Sequence, residues 1–168
     1  MSTAPVLAFV GVGANLEHPA AQVERGIEAL RTMPHTDVGA RSSLYASAPV
    51  DAPGPEYVNA VVALRTTLDA KSLLHALHAI EARSGRRRSA RNAPRTLDLD
   101  LLLYGDMRSD EAALRLPHPR LHQRAFVLHP LLEIAPDLRV PGLGLLAQYL
   151  PQVQDQAIRR LEPSGVQR

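Results

Sequence analysis

The chain contains no cysteine and no tryptophan, only two phenylalanines, and a single lysine, Lys71, among its 19 basic residues. Without cysteine, disulfides and thiolate-held zinc or iron–sulfur centres are excluded, and nothing ties the protein to an oxidising compartment. No apolar run approaches a membrane span, and Met1-Ser2-Thr3-Ala4-Pro5 lacks the basic start of a signal peptide. A soluble, cytoplasmic protein with no membrane partner is therefore expected. The Gly-x-x-x-x-Gly-Lys-Ser/Thr phosphate loop is missing, and Gly11-Val12-Gly13 lacks the third glycine of a dinucleotide fingerprint. No serine–histidine or cysteine–histidine arrangement offers a covalent nucleophile.

What replaces lysine is arginine, at every other basic position, with a net charge of only +2. Its fork makes bidentate contacts to phosphate and keeps its charge when partly buried. The 168 residues are read as one domain, 1–168, with a core from about 6 to 150 and a polar tail from about 152 to 168 expected to fray.

Val6 to Val12 reads as a strand entering a tight turn at Gly11-Val12-Gly13-Ala14-Asn15, and Pro19 opens a helix with Ala20, Val23, Ile27 and Leu30 inward. A second strand is expected over 38–47. The segment 48–55 holds three prolines and a glycine and reads as a loop. Tyr57 to Leu64 is a third strand. Asp69 caps a helix through Arg83, buried along Leu73, Leu74, Leu77 and Ile80. A strand with Leu97, Leu99, Leu101 and Leu103 follows. The order β-α-β-β-α-β gives the α+β, ferredoxin-like class: an antiparallel sheet with helices on one face and additional C-terminal elements. Beyond it, a helical piece at 124–128 ends before Pro130, and a last short helix spans 145–150.

The richest stretch is Pro94-Arg95-Thr96-Leu97-Asp98-Leu99-Asp100-Leu101-Leu102-Leu103-Tyr104-Gly105. Leucine alternation places Asp98 and Asp100 together on the other strand face, their Cβ atoms roughly 7 Å apart, close enough to share divalent cations. A solvated strand face is the plain alternative, but aspartate is disfavoured in strands and costly to bury unless paired or metal-bound. Immediately before lies Arg83 to Arg95, with six arginines in thirteen residues. Arginines delivered beside a carboxylate pair suit a polyphosphate with Mg²⁺ between them. A solvated turn or an RNA-binding patch is the competing reading, although the latter calls for interleaved aromatics. Glu81 either pairs with an arginine or touches substrate. His118 and Arg124 stand in Pro117-His118-Pro119-Arg120-Leu121-His122-Gln123-Arg124-Ala125-Phe126, where a phosphate-facing role competes with a structural histidine. Phe126, and Tyr57 beside Asn59, offer flat faces for a ring or simple core packing.

Together these segments resemble the 6-hydroxymethyl-7,8-dihydropterin pyrophosphokinase family (HPPK) of folate biosynthesis, over about residues 6 to 150. The likeness rests on Gly85-Arg86-Arg87-Arg88 and Pro94-Arg95-Thr96-Leu97-Asp98-Leu99-Asp100, supported by Gly13-Ala14-Asn15-Leu16, Pro55-Glu56-Tyr57-Val58-Asn59-Ala60 and Arg124-Ala125-Phe126. It implies transfer of the diphosphoryl group of ATP to the pterin hydroxymethyl group, with release of AMP. Asp98 and Asp100 would hold two Mg²⁺ ions. Glu81, Arg86, Arg88, Arg95, His118 and Arg124 would serve ATP or the transfer. Ser47, Pro49, Tyr57, Asn59 and Phe126 would form the pterin pocket. A monomer with no nucleic-acid partner is expected. Ala14, Asn92 and Pro119 depart from the family's usual serine and aromatics. A γ-phosphoryl kinase on another flat heterocycle and a small RNA-binding module are the alternatives.

Overall fold

β1, Val6–Ala14, lies inside the main sheet, between two other strands, in the computed structural model, which describes residues 4–48, 55–84 and 97–162. It pairs antiparallel with β4 (Tyr57–Thr66) along its whole length and with β5 (Asp98–Tyr104) on its other side. α1 (Pro19–Leu30), β2 (Thr36–Arg41), β3 (Tyr45–Ser47) and α2 (Ala70–Arg83) complete the β-α-β-β-α-β order, with β2 and β3 as the two halves of one interrupted strand. β2 and β3 both pair with β4, so the sheet is antiparallel and ferredoxin-like. Asp69 caps α2 as expected: its Oδ1 accepts the Ser72 N–H at 2.8 Å.

Two local expectations are corrected. The strand expected over 38–47 is broken at Ser42, Ser43 and Leu44 into β2 and β3. The Ser42 N–H still donates to the Val61 carbonyl, but the Val61 N–H donates to Ser42 Oγ at 2.9 Å, a hydroxyl standing in for a ladder carbonyl. Gly11 and Gly13 lie inside β1 rather than in a turn.

The two-residue period of the strands sorts their side chains. Ala8, Val10 and Val12 of β1, Val58, Ala60, Val62 and Leu64 of β4, and Leu99 and Leu101 of β5 pack with Val23, Ile27, Leu30, Leu73, Leu77 and Ile80 of α1 and α2. Phe9, Val61 and Ala63 point the other way, into a second cluster with Leu128 and Leu131. The latter pair belong to α3 (Ala125–Ile134), so helices cover both faces, not one. α3 also runs past Pro130, whose ring is buried within the helix. A register shift opposite Phe9 and Val10 adds Leu102 to β5, and both Leu102 and Leu103 join the α3 cluster.

The C-terminal elements are β6 (Ser109–Glu111) and β7 (Leu114–Leu116), β8 (Arg139–Val140) and β9 (Gly144–Leu145), a 3₁₀ helix at Leu146–Val153, and β10 (Ile158–Arg160). The β6–β7 hairpin was not anticipated, and the tail expected to fray beyond 152 supplies β10 to the main sheet, paired with β3. Among the described residues no helix is long and apolar enough to cross a membrane.

Glu133, near the end of α3, ties these pieces together. It accepts from the Ser43 N–H and Oγ at 2.9 Å each, from the Tyr45 hydroxyl at 2.7 Å and from Arg160 at 3.0 Å. Burial pushes its carboxyl up, but the donors from Ser43 and Tyr45, with the charge of Arg160, outweigh that and hold it below the usual 4.5. Burial, then the bond and charge of Glu133, push the Tyr45 phenol up to about 12. Glu133→Gln should lower stability by about 2 kcal/mol at neutral pH. A depressed carboxyl contributes stability that is complete above its ordinary value and lost as pH falls through its folded one. The variant's deficit should therefore shrink in urea unfolding at about pH 3; an unchanged deficit would remove Glu133 from the acid response.

Candidate active site

Beyond the part that α3 covers, the same sheet face turns polar. Gly13 of β1 sits in register between Asn59 of β4 and Asp98 of β5, and Gly11 sits between Val61 and Asp100. Gly11, Gly13, Asn59, Asp98 and Asp100 form the floor of a cleft of about 450 Å³ that Tyr57, Phe126, Arg120 and Arg124 also line. The glycines add no side chain to this floor. A Cβ at Gly13 would stand 2.5 Å from Asn59 Oδ1, closer than real atoms approach, so hydrogen at that position makes room for the Asn59 amide.

Two polar atoms of the cleft stand without a partner among the described residues. Ser47 and Asn59 are only 6% and 9% exposed, yet Ser47 Oγ and Asn59 Nδ2 have no hydrogen-bond partner among the described residues. Buried polar atoms are costly unless something satisfies them, so this pair makes the cleft a candidate site for a polar-edged ligand. Tyr57, at 36% exposure, and Phe126 supply aromatic surface nearby. The Arg124 guanidinium lies 5.4 Å from the centre of the Phe126 ring, which steadies both.

Asp100 also borders a second hollow of about 260 Å³, lined by His78, Leu114, Arg115 and His118. His118 is anchored twice, its backbone N–H donating to the Leu102 carbonyl and its Nδ1 accepting the Arg120 N–H at 3.1 Å. Burial lowers its pKa below 6.5; Asp100 opposes this, and Arg124 and Arg120 reinforce it. The ring is thus neutral at pH 7, and with Nδ1 accepting, the proton resides on Nε2, a donor.

Of the residues singled out in the sequence, Ser47, Tyr57, Asn59, Asp98, Asp100, Arg124 and Phe126 line the cleft, and His118 lies across Asp100 from it. Glu81 is buried behind the sheet, its Oε2 accepting the Leu99 N–H at 2.7 Å, so it braces the strand between the two aspartates. Pro49, Arg86, Arg88 and Arg95 lie outside the described residues. Sequence reasoning passed over Gly11, Gly13 and Gln156 as lining residues. The alternation of glycine with valine in β1 was the available signal for the first two.

The family model for 7,8-dihydro-6-hydroxymethylpterin-pyrophosphokinase (HPPK) matches residues 9–136. The chain belongs to the HPPK family. It is 44% identical to the 2-amino-4-hydroxy-6-hydroxymethyldihydropteridine pyrophosphokinase of Pseudomonas aeruginosa over 154 residues, covering 91% of this chain and 95% of that one. The Synechocystis enzyme of the same name is 40% identical over 93% of this chain and 80% of its own. A crystal structure of Plasmodium falciparum HPPK-DHPS is similar in fold, with a TM-score of 0.73 at 13% identity over 92% of this chain. This chain spans only 45% of that longer protein.

Within the HPPK frame, Ala14 replaces the family's usual serine where β1 ends, and it is buried in the core shared with α1 and α2. Gly13→Ala tests the floor directly. The fold should persist, with stability changed by about 1 kcal/mol or less, while the Asn59 side chain is displaced. The Asn59 amide resonances should move strongly by NMR; unmoved resonances would show that the floor tolerates a side chain.

Proposed function

We propose that this chain transfers the diphosphoryl group of ATP to the hydroxymethyl group of 6-hydroxymethyl-7,8-dihydropterin and releases AMP. The observation that carries this reading is the position of Asp100, shared by the aromatic, amide-lined cleft and the hollow beside His118. A pterin in the first and a nucleotide in the second would both direct their reacting groups toward one pair of carboxylates. Family membership and the names of the relatives support the same substrates.

In this reading Tyr57 and Phe126 hold the faces of the pterin, and Asn59 Nδ2 and Ser47 Oγ meet its polar edge; Pro49 is assigned to the same pocket by family likeness. Both polar atoms gain the partner that they lack among the described residues. Arg124 and the Nε2–H of His118 meet phosphate oxygens, and Arg86, Arg88 and Arg95 are assigned to the same chain of phosphates by family likeness. Glu81 acts through strand β5, which it braces.

Asp98 and Asp100 suit magnesium in their chemistry. Among the described residues no three metal-ligating side chains cluster, whereas a hard cation that retains waters and takes phosphate oxygens needs only one or two carboxylates. Two Mg²⁺ ions bound there would offset charge developing on the phosphates and acidify the attacking hydroxyl. The pterin oxygen attacks the β-phosphorus in line, forming one P–O bond as the bond to the AMP oxygen breaks. The hydroxyl proton is released to the bulk solution, and AMP departs with the bonding pair. The protein's part is to align the two substrates and exclude water from the cleft. The proposal is for a cytoplasmic monomer without a nucleic-acid partner.

Asp98→Ala and Asp100→Ala should each reduce AMP formation by about a thousandfold or more, the scale of losing a principal electrostatic group. Pterin affinity should change little, because the ring contacts are made elsewhere. Chromatography of ATP, the pterin and wild-type protein should show AMP. ADP would mean γ-phosphoryl transfer, and salt-sensitive RNA association without turnover would mean a binding module; either result overturns the proposal.

A further inference from the structure

α3 begins in an unusual way for a helix that carries site residues. Its N-cap is Arg124, in extended backbone conformation and without a side-chain capping bond. A guanidinium offers only donors, so it cannot accept the free N–H groups of a first helical turn. Its positive charge is also unfavourable at the positive end of a helix dipole. Serine, threonine, asparagine or aspartate would stabilise this end, but none of them reaches into the cleft as an arginine does.

The acceptor comes from elsewhere in the chain. Gln156 Oε1 accepts the Ala125 N–H at 2.9 Å, and Gln156 Nε2 donates to the Gln123 carbonyl at 3.0 Å. One amide side chain thus grips the backbone on both sides of Arg124, in the manner of a strand neighbour. Gln156 is itself held, because its N–H donates to the Val153 carbonyl where the 3₁₀ helix ends, and two residues later Ile158 pairs with Ser47 in β3. A single short stretch of chain therefore joins the Ser47 wall of the cleft to the wall carrying Arg124 and Phe126. It lies beyond residues 9–136, which the family model matches.

We infer that Gln156 is a positioning residue: it supplies the cap that Arg124 cannot, and so fixes Arg124 and Phe126 against the cleft. The effect on catalysis rests on the pterin and ATP reading above, whereas the clamp itself does not. Removing the amide leaves the Ala125 N–H without its acceptor and frees the peptide on either side of Arg124. The substrates would then have to order this wall as they bind, which weakens their apparent affinity.

The test uses the full chain with Gln156→Met, which keeps the length of the side chain but removes both bonds, and Gln156→Glu, which keeps the acceptor alone. Amide hydrogen exchange at Ala125 should rise about tenfold in the Met variant, the scale of one lost hydrogen bond. It should stay near the wild-type rate in the Glu variant, and amides in the interior of α3 should be little altered in both. In turnover, the Met variant should raise KM for the pterin about tenfold while kcat falls less than threefold, a split in the sense of lost ground-state placement. Unchanged exchange at Ala125 would overturn the clamp. A fall in kcat that tracks the folded fraction, with KM constant, would reduce Gln156 to a structural residue and overturn the positioning role. A wild-type protein that forms no AMP, with Ala125 exchange still raised in the Met variant, would sink the functional reading and leave the clamp standing.

Discussion

The two-residue period of β1, β4 and β5 is the constraint on which everything else in this protein depends. One parity of side chains closes a core with α1 and α2, and the other is divided between an apolar half under α3 and a polar half left as the floor of the cleft. A slip of one residue in β5 would send Asp98 and Asp100 into the core and Leu99 and Leu101 into the cleft. Fold and site are therefore specified by the same register. The site cannot be lost by slippage without exposing apolar surface, of which each fully buried leucine is worth about 2 kcal/mol.

That coupling explains how much was legible beforehand. The leucines at 97, 99 and 101 announce their period locally, and α2 announces both its stripe and its Asp69 cap, so the β-α-β-β-α-β order and the aspartate pair could be read directly, whereas Leu103, read with the same face, lies past the register shift and joins the α3 cluster. What escaped depended on distant partners. Gly11 and Gly13 look like turn residues until Asn59, Asp98 and Asp100 are known to flank them across the sheet. Pro130 looks like a helix breaker until it is found buried inside α3. Residues 158 to 160 look like a polar tail until β3 offers them an edge. The second helical layer was missed for the same reason: in α3, apolar residues occur on nearly every side, and no stripe discloses which sheet face it covers.

The floor and the wall of the cleft meet opposing demands by different means. At Gly13 a side chain is given up so that Asn59 can lie across the strand. At Arg124 a capping residue is given up so that a cation can stand at the start of α3. Both are choices that a stability criterion alone would reject, since glycine weakens a strand and arginine cannot cap. Local rules broken in this way, side by side in one cavity, are what a functional site is expected to leave in a sequence.

The stability forfeited there is offset by three acceptors that share a mode of action. Glu81 accepts the N–H of Leu99, between the two aspartates; Glu133 accepts the N–H of Ser43, at the approach to Tyr45 and Ser47; Gln156 accepts the N–H of Ala125, between Arg124 and Phe126. Each comes from a different element and fixes the backbone of a different border of the cleft. A hydrogen bond to backbone defines where a residue starts without limiting what its side chain does, so the side chains of Asp98, Asp100, Ser47, Arg124 and Phe126 line the cleft while their backbone is held. The geometry of the cleft is thus held through its backbone, by Glu81 and Glu133 from outside the lining and by Gln156 from its rim.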